Sequence, residues 1–185
     1  MRCSFVVALA VAMLCAAGAA APQGVIVERS EIRFVAKQLG AAVEGRFAKW
    51  KADVAFLPND LGRSRVVLDV DLGSVDLASE DSERELRGTL WFDTAKFPVA
   101  HFASTSIVDR GSGRYEVAGE LSIKGVARPV VAPVTLRAEA GGIRVAEGSF
   151  VLRRLDFKVG EGTWADTSTV ANEVTVRVRM ALPPK

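Results

Sequence analysis

The residue types best suited to chemistry are few in this chain, and they are scattered. His101 is the single histidine of the 185 residues. To act as a general base it would need an activated serine and an orienting acid, and no Gly-x-Ser-x-Gly elbow presents such a serine. As a haem or zinc ligand it would stand alone. Strand alternation puts it opposite Phe102, so an inward Phe102 turns His101 to solvent. The carboxylates Asp69, Asp71, Asp76, Glu80, Asp81, Glu83 and Glu85 form an acidic stretch that invites comparison with a calcium loop or an acid–base pair. They lack Asp-x-Asp-x-Asp-Gly spacing and are interleaved with Arg84 and Arg87, the pattern of a solvated helix face. Arg153 and Arg154 face opposite sides of a regular strand. Arg154 is expected to pair with a carboxylate or a strand-end carbonyl, with a ligand head group or diphosphate as its alternative partner. No catalytic residue, metal or cofactor is expected from this set.

Both cysteines, Cys3 and Cys15, fall in an N-terminal stretch that reads as a targeting signal. Arg2 supplies a positive charge, Phe5 to Ala17 is an unbroken apolar run, and small residues follow, so residues 1–20 are expected to be a cleaved secretory signal peptide. The apolar run falls short of the roughly 20 residues a membrane-spanning helix needs. Lipidation at Cys15 would want a small residue before it, where Leu14 is bulky. Residues 21–185 then form one domain without thiols, stable by core packing in an oxidising, periplasmic or secreted setting. The formal net charge is +2 with the signs interspersed, so no basic stripe points to nucleic acid.

The elements that must position these residues are strands. Apolar residues alternate with polar ones at Ile32 and Phe34, then at Trp50, Ala52, Val54 and Phe56, then at Val66, Leu68 and Val70. Phe102, Ser104 and Ser106 form a fourth run, Tyr115 to Ile123 a fifth, and Val134, Leu136 and Ala138 a sixth; residues 143–153 and 173–181 complete eight. Gly, Pro, Asn and Asp clusters such as Leu57-Pro-Asn-Asp-Leu-Gly62, Lys124-Gly125 and Ala140-Gly-Gly142 separate them, as in an antiparallel meander. Residues 79–88 read as one short helix between strands three and four, capped by Ser79 or Asp81 and stopped by Gly88. Eight strands without helical crossovers make a sandwich or a closed barrel. Pro133 should mark a bulge or an open edge in strand six, and that edge is where a homodimer would form.

The order and spacing of several short motifs resemble the YceI-like family of periplasmic and secreted proteins. They are Ser30-x-Ile-x-Phe34 with Lys37, Gly45-x-Phe47 followed by Trp50 and Phe56, Ser74-Val-Asp76, Phe92-Asp-x-x-x-Phe-Pro98, Phe102-x-Ser104, Gly119-x-Leu-x-Ile-Lys-Gly125 and Arg154-x-Asp-Phe157. The resemblance implies an all-β fold, an eight-stranded antiparallel lipocalin-like barrel whose long apolar cavity holds an isoprenoid or a similar long-chain lipid. The stretch Gly160 to Val174 is similar to the branch found beside, or fused to, di-haem membrane cytochromes, which implies a membrane cytochrome as a partner. Many members carry Arg-Asp ahead of the helix leucine, whereas Ser82-Glu-Arg-Glu85 precedes Leu86 here.

On that resemblance the lipid-facing set takes the apolar parity of each strand: Phe34, Trp50, Val54, Phe56, Val66, Leu68, Val70, Phe102, Val117, Leu121, Ile123 and the helix residue Leu86. Phe92, in an aromatic turn with Trp91 and Phe97, is expected to cap or plug the barrel end, as is Trp164; Arg154 completes the set. Burying about 500 Å² of lipid at about 25 cal/mol/Å² yields roughly 12 kcal/mol before the loss of ligand freedom is subtracted, enough for binding without charged contacts. The expected function is a lipid carrier rather than an enzyme. The alternatives are an interaction module docking on a membrane cytochrome and, third, a lipid-acting enzyme.

Overall fold

The computed structural model describes residues 24–184, so the expected signal peptide, Cys3, Cys15 and Lys185 lie outside the described residues. The elements run in chain order as β1 (Glu31–Gln38), β2 (Ala41–Phe47), β3 (Trp50–Ala55), β4 (Arg65–Asp71), β5 (Val75–Asp76), α1 (Glu80–Arg87), β6 (Val99–Gly111), β7 (Arg114–Ile123), β8 (Val126–Ala138), β9 (Arg144–Arg153) and β10 (Glu173–Leu182). All pairings are antiparallel, in the order β3-β4-β6-β7-β8-β9-β10-β1-β2-β5. The first long strand therefore lies beside the last, and the sheet curls until side chains from nearly every strand meet in one interior.

Two expectations are corrected here. The sheet has ten strands rather than eight, because β2 and the two-residue β5 escape the alternation pattern. Its ladder is also not closed: β3 and β5 are the free ends of the strand order. The seam is stitched by corner residues, with Ala48 N–H donating to Ser74 O at 3.0 Å, Asp71 N–H to Lys49 O at 3.0 Å, and Lys49 N–H to Ser74 Oγ at 2.9 Å.

Glycines at two places let the sheet curl around aromatic rings. A Cβ on Gly45 of β2 would collide with the ring of its cross-strand partner Phe34, and one on Gly119 of β7 with the ring of Phe102. Both rings thus lie flat over a neighbouring glycine and project into the interior. Pro133 sits in register opposite Glu116, and the β7–β8 ladder passes it without a shift. Yet β8 pairs with β9 only from Val134 onward, leaving Val126 to Pro133 unpaired on that side. An unbroken β7–β8 ladder requires that Pro129 and Pro133, which share a parity, turn their nitrogens to the open side. The expected edge is therefore present, but it lacks two of the donors that strand addition would use.

The helix α1 follows its sequence signals. Ser79 Oγ accepts the Ser82 N–H at 3.3 Å as the N-cap, and Glu83 reaches back to accept the Leu77 N–H at 3.0 Å, which fixes the chain entering the helix. Arg87 ties the helix to the corner between β4 and β5 by donating to Gly73 O at 3.0 Å, and is steadied by Glu83, one turn earlier on the same helix, at 2.9 Å. No described helix is long and apolar enough to cross a membrane.

Candidate functional site: an apolar cavity under a cationic staple

The curled sheet encloses a cavity of about 590 Å³. Its lining follows β10 from Val174 to Leu182, eight steps along the strand that at about 3.3 Å each span roughly 26 Å. A channel this long and narrow suits a slender chain. One end is closed by Val54, Phe56 and Leu182, with Val25, Leu61 and Tyr115 packed against them and the Phe56 and Tyr115 rings edge-to-face at 5.2 Å. The other end is covered by α1, the turn containing Trp91 and Phe92, and a cap formed by the irregular stretch between β9 and β10.

Period-two alternation accounts for most of the wall. Phe34, Val54, Val66, Leu68, Val70, Phe102, Val117, Leu121 and Ile123 all line the cavity, as do Leu86 of α1 and, from the capped end, Phe92, Trp164 and Arg154. Two expected residues do not. Trp50 has the inward parity of its strand but stands at the corner where β2 turns into the edge strand β3, outside the lining. Phe56, two residues beyond Val54, is buried in the plug of the closed end. Phe97 likewise lies outside the lining, close enough to Gly125 that a Cβ there would touch its ring.

Other lining residues lay hidden. Phe47 of β2 was missed with its strand, though it continues an aromatic row from Phe34 (5.5 Å) to Phe92 (6.1 Å). Val130 and Ala132 lie N-terminal to Pro133, where the sixth strand seemed to begin. Phe150 and Leu152 belong to the β9 parity opposite Val151, which is 57% exposed. The inward valines of β10 and Phe157 complete the wall.

Arg154 is only 2% exposed, yet no carboxylate pairs with it among the described residues. Its five N–H groups all donate to main-chain carbonyls: Nε to Ala171 (3.1 Å), Nη1 to Val159 (2.9 Å) and Gly160 (2.8 Å), and Nη2 to Trp164 (2.6 Å) and Val170 (2.7 Å). Its guanidinium also lies 5.5 Å from the Trp91 ring. Burial pushes its pKa below the ordinary arginine value, and the carbonyl dipoles offset that cost. Its partners are carbonyls, as one expected alternative had it, but carbonyls of the irregular cap rather than of a strand end, and all five donors are engaged by them. Arg154 is the staple that folds the cap over the cavity.

Lys124 repeats the device from the two-residue β7–β8 turn, where it adopts a left-handed φ of 49°. Its buried ammonium donates to Thr89 O (2.9 Å), Lys158 O (2.9 Å) and Glu161 Oε2 (3.0 Å). Together the two cations tie the cap to β9, β7 and the aromatic turn. The cap meets α1 through Trp164, whose indole N–H donates to Glu85 Oε1 at 2.7 Å, and the Trp164 and Trp91 rings lie 5.5 Å apart.

His101 is on the outer face, its Nδ1 2.6 Å from Oδ1 of its cross-strand partner Asp69. Ser122 is opposite His101 on the other side, so acid, histidine and serine share one row. No hydrogen bond joins Ser122 to His101 among the described residues, and the row lies on the far side of the sheet from the cavity. The acidic stretch divides: Asp69 is bonded to His101, Asp76 to Arg46, Asp81 to Arg84 and Glu83 to Arg87, while Asp81 and Glu85 of α1 also stand in the lining of the capped end. Among the described residues no three His, Cys, Asp or Glu side chains are grouped to hold a metal.

A curled antiparallel sheet around an apolar cavity, capped by one helix and a stapled loop, defines a lipocalin-like class. Residues 25–182 match the model of the YceI-like domain, and the chain belongs to that family. A UPF0312 protein of Vibrio cholerae serotype O1 is 33% identical over 103 residues, covering 55% of this chain and 54% of that protein, so the match spans about half the relative's length. A UPF0312 protein of Vibrio parahaemolyticus serotype O3:K6 is 32% identical over 142 residues, 75% of this chain and 73% of the other. The crystal structure of Burkholderia cenocepacia BcnA superposes with a TM-score of 0.81 at 35% identity, over 85% of this chain and 98% of that one. A polyisoprenoid binding domain from Saccharophagus degradans, implicated in plant cell wall breakdown, shares the fold with a TM-score of 0.72 at 15% identity, over 89% and 99%.

Proposed function

We propose that this protein is a binding protein for an isoprenoid or similar amphiphilic lipid, held in the cavity by shape and apolar burial and released unchanged. The observation that carries the reading is the wall itself: valines, leucines and phenylalanines from nine strands face one elongated interior, with polar side chains confined to the capped end. The polyisoprenoid binding of the Saccharophagus degradans domain, which has the same fold, supports this choice of ligand. Among the described residues no pair of converging titratable groups lines the apolar length, which favours holding a ligand over turning it over. The apolar N-terminal run supports a site of action beyond the cytoplasmic membrane, in the periplasm or outside the cell. Carriage of a quinone-like lipid toward a membrane cytochrome is the finer form of the proposal, and the similarity of residues 160–174 to the cytochrome-associated branch supports it.

The test is organic extraction of the purified protein followed by mass spectrometry. A stoichiometric long-chain lipid is expected, and its loss from a variant with the cavity filled. A protein that emerges empty, and takes up no isoprenoid when offered one, would overturn the proposal.

A further inference from the structure

We infer, on the reading that the cavity holds a lipid, that it selects a chain whose polar end is uncharged and donates a hydrogen bond, and rejects phosphate esters of the same chain. Apart from two indoles, the side chains with nitrogen or oxygen in the lining are Gln38, Asp81, Ser82, Glu85 and Arg154. Asp81, Ser82 and Glu85 share one face of α1, and Glu85 reaches the cap through Trp164. Gln38 bridges Val170 of the same cap, so these groups gather at one end of the cavity.

Among the described residues of the lining that end offers acceptors and no free cation. Arg154, the one basic residue in the lining, has all five N–H groups on carbonyls. Lys124, beneath the cap, is likewise engaged by two carbonyls and Glu161. Arg84 is outside the lining and its Nη1 is held by Asp81 at 2.8 Å. A phosphate drawn to this end would lose water, find no free guanidinium or ammonium in the lining to replace it, and approach the Glu85 carboxylate, Asp81 being already paired with Arg84. A hydroxyl or phenol would instead meet Glu85 Oε2, which accepts no hydrogen bond among the described residues, and the Ser82 hydroxyl.

The experiment compares geranylgeraniol with geranylgeranyl monophosphate, each titrated below its micelle concentration into the delipidated full chain and followed by tryptophan fluorescence. The alcohol is expected to bind at least about ten-fold more tightly, the effect of one uncompensated like-charge contact at a partly desolvated site. Ser82→Arg, which places a cation at this end of the cavity, is expected to tighten phosphate binding and so erase the preference; Glu85→Gln, which keeps an acceptor for Trp164, should shift it in the same direction. Phosphate binding as tight as the alcohol's, or a preference unmoved by both substitutions, overturns the inference alone. Binding of neither compound overturns the lipid-holding reading and this inference with it.

Discussion

The carboxylate of Glu85 and the indole of Trp164, 79 residues apart in the chain, meet at 2.7 Å across the capped end of the cavity. Glu85 belongs to α1 and Trp164 to the cap, so this bond is the latch between the two covers. Trp164→Phe keeps a ring against Trp91 and removes only the donor. A single partly exposed hydrogen bond is worth about 1 kcal/mol, so thermal stability should fall by only a few degrees while the bound lipid exchanges several times faster. Stopped-flow displacement of a fluorescent fatty chain measures the rate, and an unchanged dissociation rate would show that the latch does not control exit.

The Arg154 staple predicts a much larger effect. Arg154→Met preserves much of the volume and leaves five carbonyls without their donor, at a cost of about 3 kcal/mol or more. Arg154→Lys keeps the charge with three donors in place of five and should fall between. Thermal melts are expected to order wild type, Lys and Met in descending midpoint. A methionine variant as stable as wild type would refute the staple.

The cavity wall was largely legible because its signal is local: a strand inverts its face at each residue, so the inward parity of Val66, Leu68 and Val70 can be counted off directly. The signal failed where physics beyond alternation intervened. In β2 the inward positions include Gly45, required by the overlying Phe34 ring, so the run looked too weak to be a strand. Prolines truncated β8 on paper although their nitrogens face its open side. Trp50 has the right parity, but the chain corner carries it out of the lining. The Arg154 network joins residues 159–171, a segment with no period, and main-chain carbonyls leave no mark in side-chain types.

Filling the channel separates lining residues from mere core. Val176 lies mid-way along β10 and faces the cavity, so Val176→Phe has open space to enter and should lose lipid without the 1–3 kcal/mol or so typical of overpacking. Trp50→Ala, outside the lining, should retain lipid even though it destabilises the β2–β3 corner. Extraction and mass spectrometry of the two variants, beside their melting curves, gives the comparison. Lipid retained by the filled variant and lost from Trp50→Ala would reverse the assignment of the wall.

The outer row Asp69–His101–Ser122 has the residue types of a hydrolytic triad and its acid–histidine contact, but no histidine–serine bond among the described residues. His101→Ala should therefore leave lipid content unchanged and reduce stability by no more than about 1 kcal/mol, the scale of an exposed ion pair. Ester hydrolysis by the wild-type protein that vanishes in this variant would restore the enzyme reading.

Acid should loosen the cap before it unfolds the sheet. Asp166 Oδ1 accepts the Ser168 hydroxyl at 2.7 Å and the Ser168 N–H at 2.8 Å, and these two bonds, the hydroxyl's the stronger influence, hold its pKa below the usual carboxylate range. A depressed pKa means that the folded state favours the charged form. The resulting stabilisation is complete above the ordinary aspartate value of about 4 and is lost as the pH falls through the lower folded value. The turn it secures ends at Val170, whose N–H donates to Asp166 O at 3.2 Å and whose carbonyl accepts from Arg154 at 2.7 Å. Protonating Asp166 thus weakens one support of the staple. Carboxyl-carbon NMR titration should place Asp166 below its ordinary pKa, with the amide-exchange protection factor at Val170, corrected for the intrinsic rate, falling as the pH drops through that point. Asp166→Asn, which abolishes the titration, should flatten the pH dependence of that protection factor; an Asp166 titrating at or above about 4 would contradict the turn geometry.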